Sequence, residues 1–121
     1  MKKAKLEKYK KAWQKRHEEN QSDVQFRRRK ARKLAKKCGK HLREEYGAGS
    51  VYLIGSATFS GHFHPSSDID LLVEGLPDEK HFTALKDCWN LVSPAFELDL
   101  IPWEDAPKSL KKKAREQGDL L

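Results

Sequence analysis

Apolar positions along this chain change their spacing near residue 50. Before it they recur every three or four residues, the period of a helix face. After it they also gather in short apolar runs of strand length, the mark of buried strands, set between helical stretches. Residues 3–19 are rich in Lys, Glu, Ala and Gln and hold no Gly or Pro, which favours helix. Leu6, Tyr9 and Trp13 make a thin apolar stripe on it. Asn20–Asp23 offers a break, and Ser22 with Gln25 fits a capping box for a second helix over 23–46. The apolar phase nevertheless runs on through Val24, Ala31, Leu34, Ala35, Cys38, Leu42 and Tyr46, so one long helix and two nearly coaxial ones both satisfy the pattern. Gly47 and Gly49 suit the helix end and a turn.

The rest of the chain alternates strand and helix. Residues 51–55 (Val-Tyr-Leu-Ile-Gly) read as a buried strand that turns at Gly55-Ser56, with a short helix starting at Ala57–Phe59. Ser60-Gly61 and Pro65-Ser-Ser67 punctuate a loop, and a second strand follows at 68–73. Asp78 suits the N-cap of a helix over 79–92 whose inner side carries Phe82, Leu85, Trp89 and Val92. Beyond Pro94 a third strand spans 96–101, with Phe96, Leu98 and Leu100 alternating with Glu97, Asp99 and Ile101. A last helix over 107–117 begins at Pro107 with Glu104 and Asp105 as caps, and Leu120-Leu121 adds a short edge strand. The fold class is α/β: a small mixed sheet with flanking helices, preceded by a long basic N-terminal helix or helix pair.

Charge divides the chain at the same place. Residues 1–49 carry 18 Lys and Arg against 6 Asp and Glu, a net +12, whereas residues 50–121 carry 7 against 12, a net −5. We therefore expect residues 1–49 to be a basic helical segment packing on the domain or a partner, and residues 50–121 to be a minimal α/β domain. A body of about seventy residues buries little surface alone, and the long helix supplies a packing layer. Arg27-Arg-Arg-Lys30 with Arg32 and Lys33 is the densest basic patch, but on a helix it is spread around the cylinder. It reads first as a solvated or partner-facing surface, with nucleic-acid binding as the alternative. Cys38 and Cys88 lie fifty positions apart with no CxxC pairing and read as reduced, buried thiols of a cytoplasmic protein. No apolar run approaches a membrane span.

The chemistry gathers in Val51–Val73. Asp68 and Asp70 sit two apart at the start of a strand, so both project to one face. Two carboxylates ~5 Å apart repel by on the order of 3 kcal/mol at an effective dielectric near ~20. A divalent cation between them relieves that repulsion. If the third strand lies beside the second, Asp99 joins the same face. Carboxylate-only sites suit Mg²⁺ or Mn²⁺, and two such ions can hold the attacking and leaving oxygens of an in-line displacement. Gly55-Ser56 adds a backbone turn with a hydroxyl that can cradle phosphate. A phosphate cradle beside a carboxylate metal site reads as nucleotidyl transfer from a nucleoside triphosphate. His62 and His64 read as surface residues of a loop, one of them able to touch the nucleotide. Glu74 and Glu97 read as exposed strand residues, Trp89 and Trp103 as core or partner anchors, and Tyr52 as a core strand residue.

Gly55-Ser56, eleven residues, then Asp68-Ile-Asp70 and a later Asp99 resemble the hallmark of the DNA-polymerase-β-like nucleotidyltransferase superfamily. The length and the Leu110–Leu121 tail resemble its minimal members, the MNT proteins, and the resemblance covers roughly residues 27–121. It implies that Ser56 contacts the triphosphate and that Asp68 and Asp70 ligate both metals. It implies also that Asp99 ligates the catalytic metal and helps deprotonate the acceptor. It further implies two Mg²⁺ ions, ATP as substrate and a HEPN-type helical toxin as partner, to which an MNT antitoxin transfers AMP. A homo-oligomer is compatible with it. Many members carry an Arg shortly after Gly-Ser; here the positions read Ala57-Thr-Phe-Ser-Gly61. An antitoxin acting by contact alone is therefore the alternative to an enzyme.

Overall fold

In the computed structural model the described residues are 3–58, 61–64 and 67–121, with the backbone alone for 3–9 and 12–22. The stripe at Leu6, Tyr9 and Trp13 and the capping box at Ser22 lie outside the described side chains, and Phe59, Ser60, Pro65 and Ser66 outside the described residues.

The first 46 residues resolve into one helix, α1 (Lys3–Tyr46), continuous through Asn20–Asp23. At 1.5 Å per residue its 44 residues reach about 66 Å. It ends at Gly47, whose φ of +70° takes the left-handed conformation of a helix C-cap, and Ala48 N–H closes the last turn on Leu42 O at 3.1 Å. Strands β1 (Ser50–Ile54) and β2 (Ile69–Glu74) follow, then α2 (His81–Val92), β3 (Leu98–Pro102), α3 (Lys108–Gln117) and β4 (Asp119–Leu120). The strand order is β3-β2-β1-β4. β1 runs antiparallel to both β2 and β4, while β2 and β3 are parallel and joined across by α2.

Side-chain alternation gives the sheet two faces. Val51, Leu53, Ile69, Leu71, Val73, Leu98 and Leu100 point to the main core, where they meet Ala31, Ala35, Cys38 and Leu42 of α1 and Ala84, Cys88 and Val92 of α2. Tyr52, Ile54, Leu72 and Ile101 point to the other face, against Trp103, Ala106, Leu110 and Ala114 around α3. α1 and α2 thus cover one face of the sheet, and α3 covers part of the opposite one. The helical phase expected for α1 is the one observed.

For α2 the expected inner side is half right: Val92 is buried and Leu85 packs against the core, but Phe82 and Trp89 do not. Phe82 is 78% exposed and Trp89 42% exposed, while the smaller Ala84 and Cys88 are fully buried. Small residues at 84 and 88 let α2 approach the equally small stripe of α1 closely, and that contact outweighs the larger apolar area of Phe82 and Trp89. Trp89 lies at the margin, its indole N–H donating to Leu98 O at 2.8 Å. The expected caps are also absent: α2 and α3 have Lys80 and Pro107 at their N-cap positions, with no side-chain cap bond from Asp78, Glu104 or Asp105. Each acid instead lies in a single 3-10 turn, Asp78–Lys80 or Trp103–Asp105.

In the basic segment of α1 four arginines turn toward the domain, while Arg29 stays exposed with the lysines. Arg27 donates to Ala95 O at 2.7 Å and stacks on Phe96, 4.3 Å from guanidinium carbon to ring centre. Arg28 donates to Thr58 O, Arg32 to Ala57 O and to the Asp119 carboxylate, and Arg43 to Leu121 O. The lysines at 30, 33, 36, 37 and 40 stay exposed. Planar guanidinium groups serve several acceptors at once, which suits the inward arginines to tying a helix to loop carbonyls.

Cys38 and Cys88 are free, buried and adjacent, with the Cys38 thiol 3.9 Å from Cys88 O. Contact with Cys88 and burial push the Cys38 thiol far up, so it stays protonated. Nearer the surface, the Tyr46 hydroxyl donates to Asp87 at 2.6 Å and His41 bonds the same oxygen at 2.9 Å, linking α1 to α2. These bonds hold the Asp87 carboxyl below its ordinary range, and the Asp87 contact pushes Tyr46 up to about 12. A carboxyl whose pKa is lower in the folded state stabilises above the unfolded value of ~3.9 and loses that contribution as pH falls through the folded one. Asp87→Asn should therefore lower the urea midpoint at pH 7, with the gap to the native protein closing below about pH 4. A gap independent of pH would exclude the charged form of Asp87 as its source. No described helix is long and apolar enough to cross a membrane.

Candidate active site

The part of the sheet that α3 leaves open is a cleft of about 680 Å³. Its floor follows from register. Asp70 of β2 pairs with Asp99 of β3, and residues paired across parallel strands project to one face with backbones about 4.8 Å apart. The flanking Ile69, Leu71, Leu98 and Leu100 are buried in the main core, so the strand period places both carboxylates on the opposite side. Ile54 pairs with Asp70 on its other side, bringing the end of β1 to the same spot.

There the chain turns. Gly55 has a φ of +79°, a conformation that costs other residues roughly 1–2 kcal/mol. A Cβ at this position would stand 3.1 Å from the Asp70 carboxylate. Gly55 thus keeps both the turn and the approach of Asp70 to it. The expected helix at Ala57–Phe59 is a single 3-10 turn, Gly55–Ala57, closed by the Thr58 hydroxyl donating to Gly55 O at 2.8 Å. One turn sums few peptide dipoles, so what the turn presents is the half-buried Ser56 hydroxyl and backbone N–H groups rather than a helix end. Arg28 and Arg32 of α1 grip the carbonyls of Thr58 and Ala57 from behind and fix the turn against the core.

Gly55, Ser56, Asp70 and Asp99 therefore line one cleft. Asp68 lies exposed one residue before the start of β2 at Ile69, outside the residues that line the cleft. It is near enough to act on Asp70 electrostatically. Burial, then the charge of Asp99, then that of Asp68 push the Asp70 carboxyl up. Among the described residues no three His, Cys, Asp or Glu are drawn together as a ready metal cage. The donor set still fits a hard divalent cation. It offers carboxylate oxygens alone, two of them register partners, and one of these is half-buried with repulsion for a cation to relieve.

His62 lines the cleft and is exposed; His64 is exposed and does not line it. Glu74 is half-exposed and Glu97 exposed, as expected, while Tyr52 and Trp103 pack on each other at 5.9 Å on the α3 side. Three lining residues escaped the sequence reading: Leu110, Lys113 and Gln117 of α3. Their spacing of three and four puts them on one stripe of the helix. The signal was present in that periodicity but was masked by the basic run Lys111-Lys-Lys113.

Residues 31–121 match the nucleotidyltransferase domain family. No curated protein sequence matches the chain. Among solved structures the chain is similar to a crystal structure of the toxin–antitoxin MntA–HpeT in a mutant form, with 21% identity and a TM-score of 0.57 over 71% of this chain and 70% of that one. At this identity the likeness is one of fold.

Proposed function

Because the chain belongs to the nucleotidyltransferase domain family, we propose that it transfers a nucleoside monophosphate, AMP from ATP, to a hydroxyl of a partner protein, and that it is the antitoxin of a toxin–antitoxin module. The observation that carries this reading is the pairing of Asp70 with Asp99 on the floor of a cleft rimmed by Gly55-Ser56. The partner class, a helical HEPN-type toxin, is supported by the fold shared with the MntA–HpeT structure.

Each residue has a task that follows from its place. The Ser56 hydroxyl donates to a phosphate oxygen at the turn, where the absence of a side chain on Gly55 lets backbone come close. Asp70 and Asp99, with Asp68 at the margin, would hold Mg²⁺. When bound, the metal neutralises phosphate charge and lowers the pKa of the attacking hydroxyl. Asp99 is exposed, so an incoming acceptor reaches it, and its carboxylate takes the hydroxyl proton as oxygen attacks the α-phosphorus and pyrophosphate leaves. Ile101 and Leu110 give the cleft an apolar wall for the base and ribose.

Intact mass spectrometry of the partner that co-purifies with the chain, after incubation with ATP and Mg²⁺, tests the reading. The expected result is a gain of one nucleoside monophosphate. An unchanged mass for every co-purifying protein overturns it.

A further inference from the structure

A nucleoside triphosphate brings a polyanionic tail into a cleft whose floor is already acidic. The Gly55–Ala57 turn offers that tail a hydroxyl and backbone but no cation: Ala57 and Thr58 are buried, and the Thr58 hydroxyl is committed to Gly55 O. Among the described residues lining the cleft, Lys113 is the one Lys or Arg.

Its position on α3 separates it from the other basic residues of that helix. Lys111 and Arg115 lie over the Trp103 ring, at 5.4 and 4.8 Å from its centre, and with Lys108 and Lys112 they border a different groove. Lys113 alone of these turns to the cleft side, between Leu110 and Gln117. It is exposed, and among the described residues it has no hydrogen-bond or ion-pair partner. An ammonium and two carboxylates thus share one cleft without pairing. Their separation leaves room for a ligand that carries charge of both kinds, a phosphate chain bound to a divalent cation. The cleft volume of about 680 Å³ lies within the range of small-molecule sites.

We propose that Lys113 is the contact for the terminal phosphates of the nucleotide, holding the tail from α3 while the carboxylates of β2 and β3 take its metal-bound part. The proposal rests on the nucleotidyltransferase reading above. Lys113 binds through charge and hydrogen bonding at the far end of the tail, so it discriminates triphosphate from monophosphate.

Equilibrium binding of ATP and of AMP, each with Mg²⁺, to the native protein and to Lys113→Met tests this. Loss of one charge-assisted contact should weaken ATP about 10- to 100-fold and leave AMP within about twofold. Lys113→Arg should restore most of the ATP affinity, and Lys112→Met, one position away and facing the other groove, should bind ATP as the native protein does. Native ATP affinity in Lys113→Met overturns the assignment of Lys113 and leaves the nucleotidyltransferase reading standing. Equal loss for ATP and AMP also overturns it, because the lysine would then act on the fold of the cleft. Failure of the native protein to bind ATP overturns both.

Discussion

Asp70→Asn is expected to lower nucleotide transfer by about three orders of magnitude or more and to leave the chain folded, with a melting temperature at or above that of the native protein. The two effects have one cause. Asp70 is half-buried in β2, next to Asp99 and near Asp68, and its ionised form is disfavoured by burial and by both neighbours. A neutral isostere removes that repulsion, which raises stability, and removes the charge for which the site is built, which ends the chemistry. Asp99→Asn should lose as much activity with a smaller gain in stability, because Asp99 is exposed and water already screens it. Transfer within tenfold of native in Asp70→Asn would remove the carboxylate pair from the mechanism. The same variant separates the enzyme from an antitoxin that works by contact. If neutralisation of the partner survives while transfer is lost, binding alone suffices.

Leu42→Ala should cost about 2–5 kcal/mol of a total that is about 5–15 for a domain of this kind, a large share of the stability. Leu42 has no exposed surface and sits in the main core with Leu53, Leu71 and Cys38. Its deletion leaves a cavity between α1 and the sheet that neither rigid element can close. Lys37→Ala, on the outer side of the same helix, should shift stability by no more than about 0.5 kcal/mol. Urea unfolding of the two variants measures the contrast. A Leu42→Ala midpoint equal to that of Lys37→Ala would mean that α1 is an arm carried by the domain and not one of its layers. The change of charge near residue 49 is therefore a boundary of composition. Buried side chains tie residues 31–42 to the sheet across it.

Much of this is legible in the sequence. β2 and β3 each hold an aspartate between two apolar residues, Ile69-Asp-Leu71 and Leu98-Asp-Leu100, and that local alternation decides which side of the sheet Asp70 and Asp99 occupy. Gly55 was legible as a turn residue because only a residue without a Cβ passes so close to a carboxylate at positive φ. The phase of α2 was not, because Phe82 and Trp89 outrank Ala84 and Cys88 in apolar area, whereas close packing of two helices rewards small residues. The inward arginines were not legible either. Their acceptors are backbone carbonyls of Ala57, Thr58, Ala95 and Leu121, which carry no mark in sequence. Lys113 was hidden for a third reason: five basic residues on a ten-residue helix look alike until the helix is docked and one of them faces the cleft. Asp68, one residue ahead of β2, stands at the margin of the pair and still acts on the Asp70 carboxyl.

In the proposed reading Asp70 and Asp99, with the Gly55-Ser56 turn, form one site for a metal-bound nucleotide. Electron paramagnetic resonance of Mn²⁺ titrated into the protein with a non-hydrolysable ATP analogue measures it most directly. The native chain should take up about two ions per molecule in the presence of the analogue, and Asp70→Asn and Asp99→Asn should each lose that uptake. Uptake that is the same in all three proteins, or absent from the native one, would contradict the account.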